Sequence, residues 1–228
     1  MSNQHHVELI RNIKGISGSS FDFSIPILNY EHVQVGRLRP IDIELSKNPE
    51  LIEKLTKWRR MFARYFLTQF QPSIERTADW LHNIVIPSDD RLLFLICDMD
   101  DIIIGNIGIC NLRPAEAELD NVIRGEKEGD PKLTFFSAIA LLKWLYFSVR
   151  VDSALLHVFS NNVKGISLYS NVGFVETKRY DLRKIQVGDE IQYSIGIEGE
   201  ITDLKYIEMR LSRKEFISKH QAFVTCDQ

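Results

Sequence analysis

Apolar side chains repeat along this chain in two different periods, and the switches between those periods predict its secondary structure. Steps of three and four residues, which place side chains on one helix face, follow Asn48 and Pro49, a favourable pair for starting a helix. Alternating apolar and polar residues, and short apolar runs rich in β-branched residues, predict strands. The face of the first helix is expected to hold Leu51, Leu55, Trp58, Phe62 and Phe66. The predicted strands are 37–43, 91–97, 102–112, 117–124, 153–159, one opening at Phe174, and two more within 184–197 and 204–211; the predicted helices begin near Asn48, Ser73, Pro131 and Asn162.

The resulting order, β-α-α-β-β-β-α-β-α-β-β, predicts an α+β (mixed α/β) domain in which helices flank one central sheet. Residues 37–180 form the core of this domain. The extension 1–36 combines a turn-rich segment, 15–20, with an apolar one, 21–28, so we expect it to pack on the core or on a partner subunit. Residues 181–228 are expected to add strands to the same domain, followed by a turn of helix and a frayed tail.

Composition and charge narrow the functional classes. The chain has 228 residues, 44% hydrophobic and 26% charged, and its net charge of −3 lacks the basic excess that attracts nucleic acid or an anionic membrane. The longest apolar run, 133–149, is too short for a membrane span and contains a lysine, so we expect a buried helix. Cys97, Cys110 and Cys226 lie far apart without metal-binding spacing, which predicts free thiols, no metal site and a reducing, cytoplasmic location.

The segment from Asn162 to Phe174 carries the most informative motif. Its sequence is Asn162-Val-Lys-Gly165-Ile-Ser-Leu168-Tyr169-Ser-Asn-Val-Gly173-Phe174, directly after the predicted strand 153–159. The pattern predicts an asparagine cap, a short helix, a glycine stop and a further strand. It resembles the GNAT N-acetyltransferase motif, Asn-x-x-Ala-x-x-Leu-Tyr-x-x-x-Gly-Phe, with Gly165 where alanine is usual.

The resemblance covers residues 37–180 and implies a GNAT-like single domain, whose mostly antiparallel mixed sheet contains a splayed strand pair. Acetyl-coenzyme A (acetyl-CoA) is then the co-substrate, and Tyr169 is the acid that protonates its departing thiolate. A phenol suits this step, because its reference pKa near 10 is close to that of an alkyl thiol. Asn162 caps the helix and contacts the cofactor, with Asn161 as the alternative cap. The alternative interpretation of Tyr169 is a core tyrosine that closes a short helix.

The loop before the long apolar helix is the candidate to bind the pyrophosphate of this donor. A glycine-containing loop that runs into a helix N-terminus offers unpaired N–H groups and the positive end of the helix dipole. Three acidic residues and a proline depart here from the GNAT loop pattern. The alternative is a solvated, charged loop with a good helix cap. The candidate ligands are Arg124, Gly125, Lys127, Gly129 and Lys132.

The strand before this loop is expected to pair with the pantetheine arm of the donor through its backbone. Residues 119–123, including Val122 and Ile123, are placed to present N–H and C=O groups to it. A plain sheet strand has the same sequence pattern, because backbone pairing depends little on side-chain identity.

Two carboxylates near the expected position of the acetyl group are candidates for the base that deprotonates an acceptor amine. Glu118 and Asp120 are two residues apart on a strand and therefore share a face. Either is a candidate base, or the pair holds a cationic amino group, or the two form an exposed strand face. Glu116 is a weaker candidate. His157, alone among apolar neighbours, is expected to be structural.

We expect an acetyl-CoA-dependent N-acetyltransferase that acts on a primary amine of a small molecule by direct attack on the thioester. The long segments on both sides of the core are suited to enclosing a pocket. Short runs around Arg124 and within 182–193 resemble GNAT proteins of bacterial surface sugars, which makes a nucleotide-linked amino sugar the first candidate. The alternatives are a protein N-terminal or lysine acetyltransferase and a non-catalytic GNAT-like interaction module. The phenylalanine-rich extension raises a homodimer as a further expectation.

Overall fold

A computed structural model describes residues 3–18 and 23–224 of the chain, so Phe21 and Cys226 lie outside the described residues. The helices are α1 (Asn3–Ile13), α2 (Pro49–Phe62), α3 (Ile74–Trp80), α4 (Leu133–Trp144), α5 (Val163–Val172), α6 (Arg213–Lys219) and α7 (Gln221–Val224). The strands are β1 (Ile25–Leu28), β2 (Gln34–Pro40), β3 (Thr68–Gln69), β4 (Leu92–Asp98), β5 (Ile103–Cys110), β6 (Glu116–Arg124), β7 (Ser153–Phe159), β8 (Val175–Val187), β9 (Glu190–Ser194) and β10 (Glu200–Ser212).

The described strands form one sheet in the order β1-β2-β4-β5-β6-β7-β10-β8-β9-β3. Its neighbours pair antiparallel, except for β6 and β7, which are parallel. The predicted fold class, a mostly antiparallel mixed sheet flanked by helices, is therefore confirmed. A parallel pair between neighbours needs a crossover connection, and α4 provides it.

Helix α2 starts as its sequence predicts and ends earlier. The side chain of Asn48 accepts a hydrogen bond from the Leu51 N–H, and Pro49 occupies the first helical position. After Phe62 the chain tightens into a 3₁₀ turn and becomes extended at Phe66 (φ −114°, ψ 148°). The expectation that Phe66 continues the buried face of α2 was therefore wrong, and its ring instead lies against the guanidinium of Arg59.

Helix α4 is the buried helix that the long apolar run predicts. Most of its side chains are buried, and it continues as a π-helical turn over Leu145–Val149. Arg150 ends it in the left-handed conformation (φ 65°). Among the described residues no helix has both the length and the apolar character to cross a membrane.

The N-terminal extension lies on the sheet through both of its elements. β1 pairs with β2, so that Ile25 opposes Leu38, and both side chains are buried. Lys14, just after α1, is fully buried and donates to the carbonyl oxygens of Val85 (2.6 Å) and Ser88 (2.5 Å). Burial lowers the pKa of Lys14 to about 8.

The C-terminal part departs from expectation in two places. β8 is one continuous strand of 13 residues through the predicted break after Tyr180, and it folds back onto β9 at the expected Gly188-Asp189 turn. The chain end is folded rather than frayed up to residue 224, because Phe216 of α6 and Phe223 of α7 are buried in the main core. A capping box between Ser212 and Glu215 starts α6.

Candidate functional site

The parallel strands β6 and β7 separate halfway along their length. Glu116–Leu119 pairs with Ser153–Leu156, and the described residues show no pairing between these strands beyond Leu119. The separation coincides with a bulge, since Asn106 opposes Ile123 on β6 whereas Gly108 opposes Asp120. Asn121 takes a left-handed conformation there (φ 51°), and its carbonyl oxygen accepts from Asn106 Nδ2. The splayed strand pair that the resemblance implies is therefore present.

A cleft of about 1350 Å³ opens at this separation and runs between two walls. The donor wall consists of β6 beyond Leu119, the N-terminal turn of α4, and α5. The acceptor wall consists of α2, the segment leading to β3, and α3. Of the predicted site residues, the cleft is lined by Glu118, Asp120, Val122, Ile123, Arg124, Asn161, Asn162 and Tyr169.

Tyr169 lies in the last turn of α5, and local sequence holds this helix in place. The Asn162 side chain accepts from the Gly165 N–H (3.0 Å), and Gly173 ends the helix in the left-handed region (φ 119°). A Cβ on residue 165 would lie 2.7 Å from Asn162 Nδ2. The glycine that replaces the usual alanine therefore leaves room for this cap.

The Tyr169 side chain is half-buried in the cleft wall, with its ring edge-on to Phe174 at 6.3 Å between centroids. No described residue forms a hydrogen bond with its hydroxyl. Burial, and then the negative charge of Asp120, raise the pKa of Tyr169. The phenol therefore keeps its proton and has room to donate it to a ligand.

Glu118 and Asp120 lie on the floor of the cleft, and both already have polar partners. Asp120 accepts from Arg91 Nη1 (2.6 Å) and from Asn121 Nδ2 (2.7 Å). Glu118 accepts from Asn111 Nδ2 (2.7 Å), and its other oxygen lies 2.7 Å from Nδ1 of His157. Burial acts to raise the pKa of Glu118, but these hydrogen bonds outweigh it and leave the pKa lowered. Glu118 is therefore held as an anion at neutral pH, and Asp120 is engaged by Arg91 and Asn121.

His157 lines the cleft, although it was expected to be structural. It is the first residue of β7 beyond the paired segment, and its ring stacks on Tyr206 (5.0 Å between centroids, 15° between planes). Its Nε2 lies 3.8 Å from Oε2 of Glu208, which is outside hydrogen-bond distance. The sequence does contain a signal for this contact, because Glu118 and His157 are both polar residues in predicted strands. The signal can be recognised only when those two strands are known to be adjacent.

The predicted pyrophosphate loop is held mainly by its own contacts. The Arg124 guanidinium donates to the carbonyl oxygens of Asp130 (2.9 Å) and Glu128 (2.7 Å), and the Gly125 N–H donates to Ile104 (2.9 Å). Lys132 directs its ammonium group toward the ring of Tyr30, 5.6 Å from the centroid. Four predicted ligands, all within the described part of the chain, lie outside the cleft wall: Gly125, Lys127, Gly129 and Lys132.

The first turn of α4 supplies a feature that sequence reasoning missed. Thr134 lines the cleft, and its hydroxyl is buried without a hydrogen-bond partner among residues 3–18 and 23–224. Pro131 and Phe135 line the cleft on either side of it. A buried, unsatisfied hydroxyl beside the N–H groups of a helix N-terminus fits an anionic ligand. Together with the open edge of β6, these residues fit the pyrophosphate and pantetheine parts of a coenzyme A donor.

The acceptor wall is rich in arginine and aromatic side chains, which sequence reasoning also missed. The Arg59 guanidinium lies 3.4 Å from the ring centroid of Phe66 and 5.3 Å from that of Phe70, and it donates to the Thr68 carbonyl oxygen (2.7 Å). Its Nη1 is buried, and nothing in the described segments accepts from it. Burial lowers the pKa of Arg59 to about 10. The Arg76 guanidinium also lies over the ring of Phe70, 3.7 Å from its centroid.

A C-terminal strand closes this wall. Thr68–Gln69 of β3 pairs with Gln192 and Ile191 of β9, and the Tyr193 N–H donates to the Leu67 carbonyl oxygen (2.7 Å). Arg76 also pairs with Glu190 of β9 (2.5 Å). No group of three or more His, Cys, Asp or Glu side chains within residues 3–18 and 23–224 is arranged to hold a metal ion.

No family model matches the sequence, and no curated protein matches it either. The fold matches solved structures. A GCN5-related N-acetyltransferase from Brucella melitensis superposes with a TM-score of 0.64 at 13% identity, over 90% of this chain and 85% of that chain. The Vibrio cholerae spermidine N-acetyltransferase, solved with CoA and spermine, gives 0.59 at 16% identity, over 79% and 96%. FdhC, a nucleotide-linked sugar GNAT, gives 0.59 at 14% identity, over 89% and 97%. The chain therefore has the GNAT fold.

Proposed function

We propose that this protein is an acetyl-CoA-dependent N-acetyltransferase that acts on a primary amine of a small molecule. The observation that carries the proposal is the open edge of β6, which lines the same cleft as Tyr169. An unpaired strand edge binds an extended amide-containing chain through its backbone, as a pantetheine arm requires. The phenol of Tyr169 is our proposed proton donor for the sulfur at the end of that arm. Acetyl-CoA supplies the activated acyl group.

The donor wall divides the work of binding between three parts of the chain. The backbone at Val122 and Ile123 pairs with pantetheine, and Asn161 and Asn162 flank the sulfur end. Thr134 and the first N–H groups of α4 bind the pyrophosphate. The loop ligands proposed from sequence act less directly: Arg124 stiffens the loop, and Lys127, Gly129 and Lys132 contribute charge and backbone freedom outside the wall.

The acceptor wall supports an acceptor with an anionic part, and a nucleotide-linked amino sugar is our proposal. Arg59 has a free donor and no carboxylate partner among the described residues, and it lies between two phenyl rings. A guanidinium suits phosphate oxygens, and aromatic rings suit a planar base. A polyamine would instead place its positive charges near Arg59 and Arg76. The likeness to the fold of FdhC adds support.

The strand added after residue 180 supports a small molecule over a protein acceptor. β9 pairs with β3 next to the cleft-lining residues Leu67 and Thr68. A protein tail needs a groove that is open along its length, and an added strand beside the acceptor wall is better suited to enclosing a small acceptor. The remaining expectations stay proposals: a cytoplasmic location, which the buried free thiols of Cys97 and Cys110 favour, and a homodimer, which sedimentation tests.

A thiol-release screen tests the proposal. The protein is incubated with acetyl-CoA and, in separate arms, nucleoside-diphosphate amino sugars, spermidine and lysine-containing peptides. Release with the amino sugars alone is the expected result. Release with spermidine or peptides alone would overturn the acceptor class and leave the acetyltransferase in place. No release in any arm would overturn the proposed activity.

A thermal shift with acetyl-CoA separates an enzyme from a non-catalytic module. A donor at 100 times its dissociation constant should stabilise the fold by about 2.7 kcal/mol. An acetyltransferase must bind its donor before it can release thiol. A protein whose melting temperature does not change at millimolar acetyl-CoA would therefore be a non-catalytic interaction module.

A further inference from the structure

We propose that His157 is the base that takes the proton from the acceptor amine and that Glu118 is the residue that positions it. The inference rests on the proposed acetyl transfer and adds a role to that same site. It assigns the proton to an imidazole on β7 rather than to either carboxylate on β6.

The position of His157 in the sheet is the first observation. Leu119 and Leu156 form the last parallel pair, so His157 stands at the point where β6 and β7 diverge. Asp120, its counterpart on β6, and Tyr169 line the same cleft. The thioester carbonyl of a donor lying along the open edge would reach this divergence point. An amine that attacks that carbonyl from the acceptor wall therefore passes over the imidazole.

The contacts of the imidazole are the second observation. Nδ1 lies 2.7 Å from Oε1 of Glu118, and a carboxylate in that place accepts a hydrogen from Nδ1. This contact fixes the tautomer in which Nε2 carries a lone pair. Nε2 has no hydrogen-bond partner in the described part of the chain, since Oε2 of Glu208 lies 3.8 Å away. A carboxylate that orients an imidazole whose other nitrogen is basic is an arrangement suited to general-base catalysis.

Two carboxylates and a stacked tyrosine surround the imidazole ring. Glu118 and Glu208 are both anionic, and hydrogen bonds from Arg210 and Thr177 outweigh burial to lower the pKa of Glu208 to about 2. Tyr206 stacks on the ring and holds its position. The titratable and charged groups that face His157 or this stack are Glu118 and Asp120 on β6, Cys110 on β5, Tyr206, Glu208 and Arg210 on β10, Tyr180 on β8 and Tyr169 on α5.

The carboxylates themselves are poorly placed to take the proton. Asp120 is paired with Arg91, and both oxygens of Glu118 are occupied, by Asn111 and His157. For Glu118, these hydrogen bonds lower the pKa and so reduce its basicity. An imidazole changes charge in the range between pH 5 and 8, where a general base at neutral pH works best.

The proposed reaction is a direct acyl transfer that is accompanied by two proton transfers. The amine nitrogen forms a bond to the thioester carbonyl carbon, and the carbon–sulfur bond breaks. The proton on the amine nitrogen passes to Nε2 of His157, and the coenzyme A thiolate takes a proton from the Tyr169 hydroxyl. The imidazolium then releases its proton to solvent, and the phenolate recovers one from solvent. The products are one amide and one thiol.

The test is the pH dependence of kcat, measured by thiol release from acetyl-CoA at saturating nucleoside-diphosphate amino sugar. We expect His157→Gln to lower kcat at neutral pH by roughly 100- to 10,000-fold and to remove the acidic limb of the profile. Glu118→Gln changes the group that orients the imidazole. It should shift the pH at which the acidic limb falls, and it should lower kcat less than His157→Gln does. Glu44→Gln is the control, because Glu44 is exposed, pairs with Lys47 and lies outside the cleft, and it should leave the limb in place.

A second variant guards against a purely structural effect. His157→Ala leaves a space beside the cleft, and added imidazole should restore part of its activity, which repacking alone would not allow. The role of His157 would be overturned by an unchanged acidic limb in His157→Gln or by the absence of rescue in His157→Ala. In either case, an active wild-type protein would still support acetyl transfer. A wild type that releases no thiol with any amine would overturn both.

Discussion

The two walls of the cleft are built from different kinds of atoms. The donor wall offers mostly backbone: the unpaired edge of β6 and the first N–H groups of α4. The acceptor wall offers side chains, above all Arg59 beside Phe66 and Arg76 beside Phe70. Backbone groups are nearly the same whatever the sequence, so the donor wall depends little on side-chain identity. In the proposed function, selectivity for one acceptor therefore comes from the acceptor wall.

Tyr169, on α5 of the donor wall, lines the cleft, and its loss should give the largest effect. Tyr169→Phe removes the proton donor and keeps the ring, so turnover should fall by roughly 100- to 10,000-fold while the donor dissociation constant changes little. Steady-state kinetics and donor titration measure the two quantities. Tyr146→Phe is the matched control, because the Tyr146 hydroxyl donates to the Leu211 carbonyl oxygen inside the core. It should lower stability and spare turnover. Near-normal turnover in Tyr169→Phe would remove the phenol from the mechanism.

Arg59 tests the acceptor wall alone. Arg59→Met keeps an unbranched side chain of similar length and removes the positive charge. A hydrogen bond to a charged group contributes about 1.5–3 kcal/mol, so its loss should raise the acceptor KM roughly 10- to 150-fold. Donor affinity should not change. Arg60→Met, the next residue of α2 and outside the cleft, is the control. Equal losses of donor and acceptor affinity in Arg59→Met would mean that the walls are not separate.

Gly125, outside the cleft, tests the packing of α2 against the end of β6. A Cβ at this position would lie 1.9 Å from the indole of Trp58 on α2, whose Nε1 donates to Glu126 (3.0 Å). Gly125→Ala should therefore cost about 1–3 kcal/mol of unfolding free energy, as overpacking does. Denaturant titration measures this effect. Gly196→Ala meets no atom within 4 Å and should be close to neutral. A Gly125→Ala variant as stable as the wild type would contradict this packing.

Thr134 gives the smallest expected effect and isolates the donor wall. Thr134→Val removes a hydroxyl worth about 0.5–1.5 kcal/mol in a hydrogen bond, so donor affinity should fall roughly 2- to 12-fold. Acceptor KM should not change. Ser137→Ala, one turn later, loses a hydroxyl that donates to the Leu133 carbonyl oxygen, and it should affect stability only. Isothermal titration with coenzyme A measures the difference, and equal affinity in wild type and Thr134→Val would exclude the hydroxyl from the donor site.

The parts of the molecule that depend on local sequence were predictable. Asn48, Asn162 and Gly173 act on residues within one or two helical turns, so the starts of α2 and α5 and the end of α5 follow from the chain itself. The same holds for the turn at Gly188-Asp189, which joins adjacent strands.

The parts that depend on distant residues were not predictable. The bulge at Asn121 requires knowledge of the pairing with β5, and β3 has only two residues and exists because β9 pairs with it. His157 appeared structural because its neighbours in sequence are apolar, whereas Glu118 and Tyr206 contact it from other strands. The buried face of α2 was predicted one turn too long. The 3₁₀ turn that redirects Phe66 has no apolar pattern in the sequence that distinguishes it from a continuing α-helix.

The β3–β9 pair also sets the order in which the molecule can be completed during synthesis. β3 lies early in the chain and β9 near its end, so a ribosome must deliver nearly the whole polypeptide before the two can meet. Contacts between such distant residues form late, because closing a long loop costs entropy that no local contact repays. A nascent chain would therefore be able to assemble α2 and α3 well before β9 joins β3 beside them.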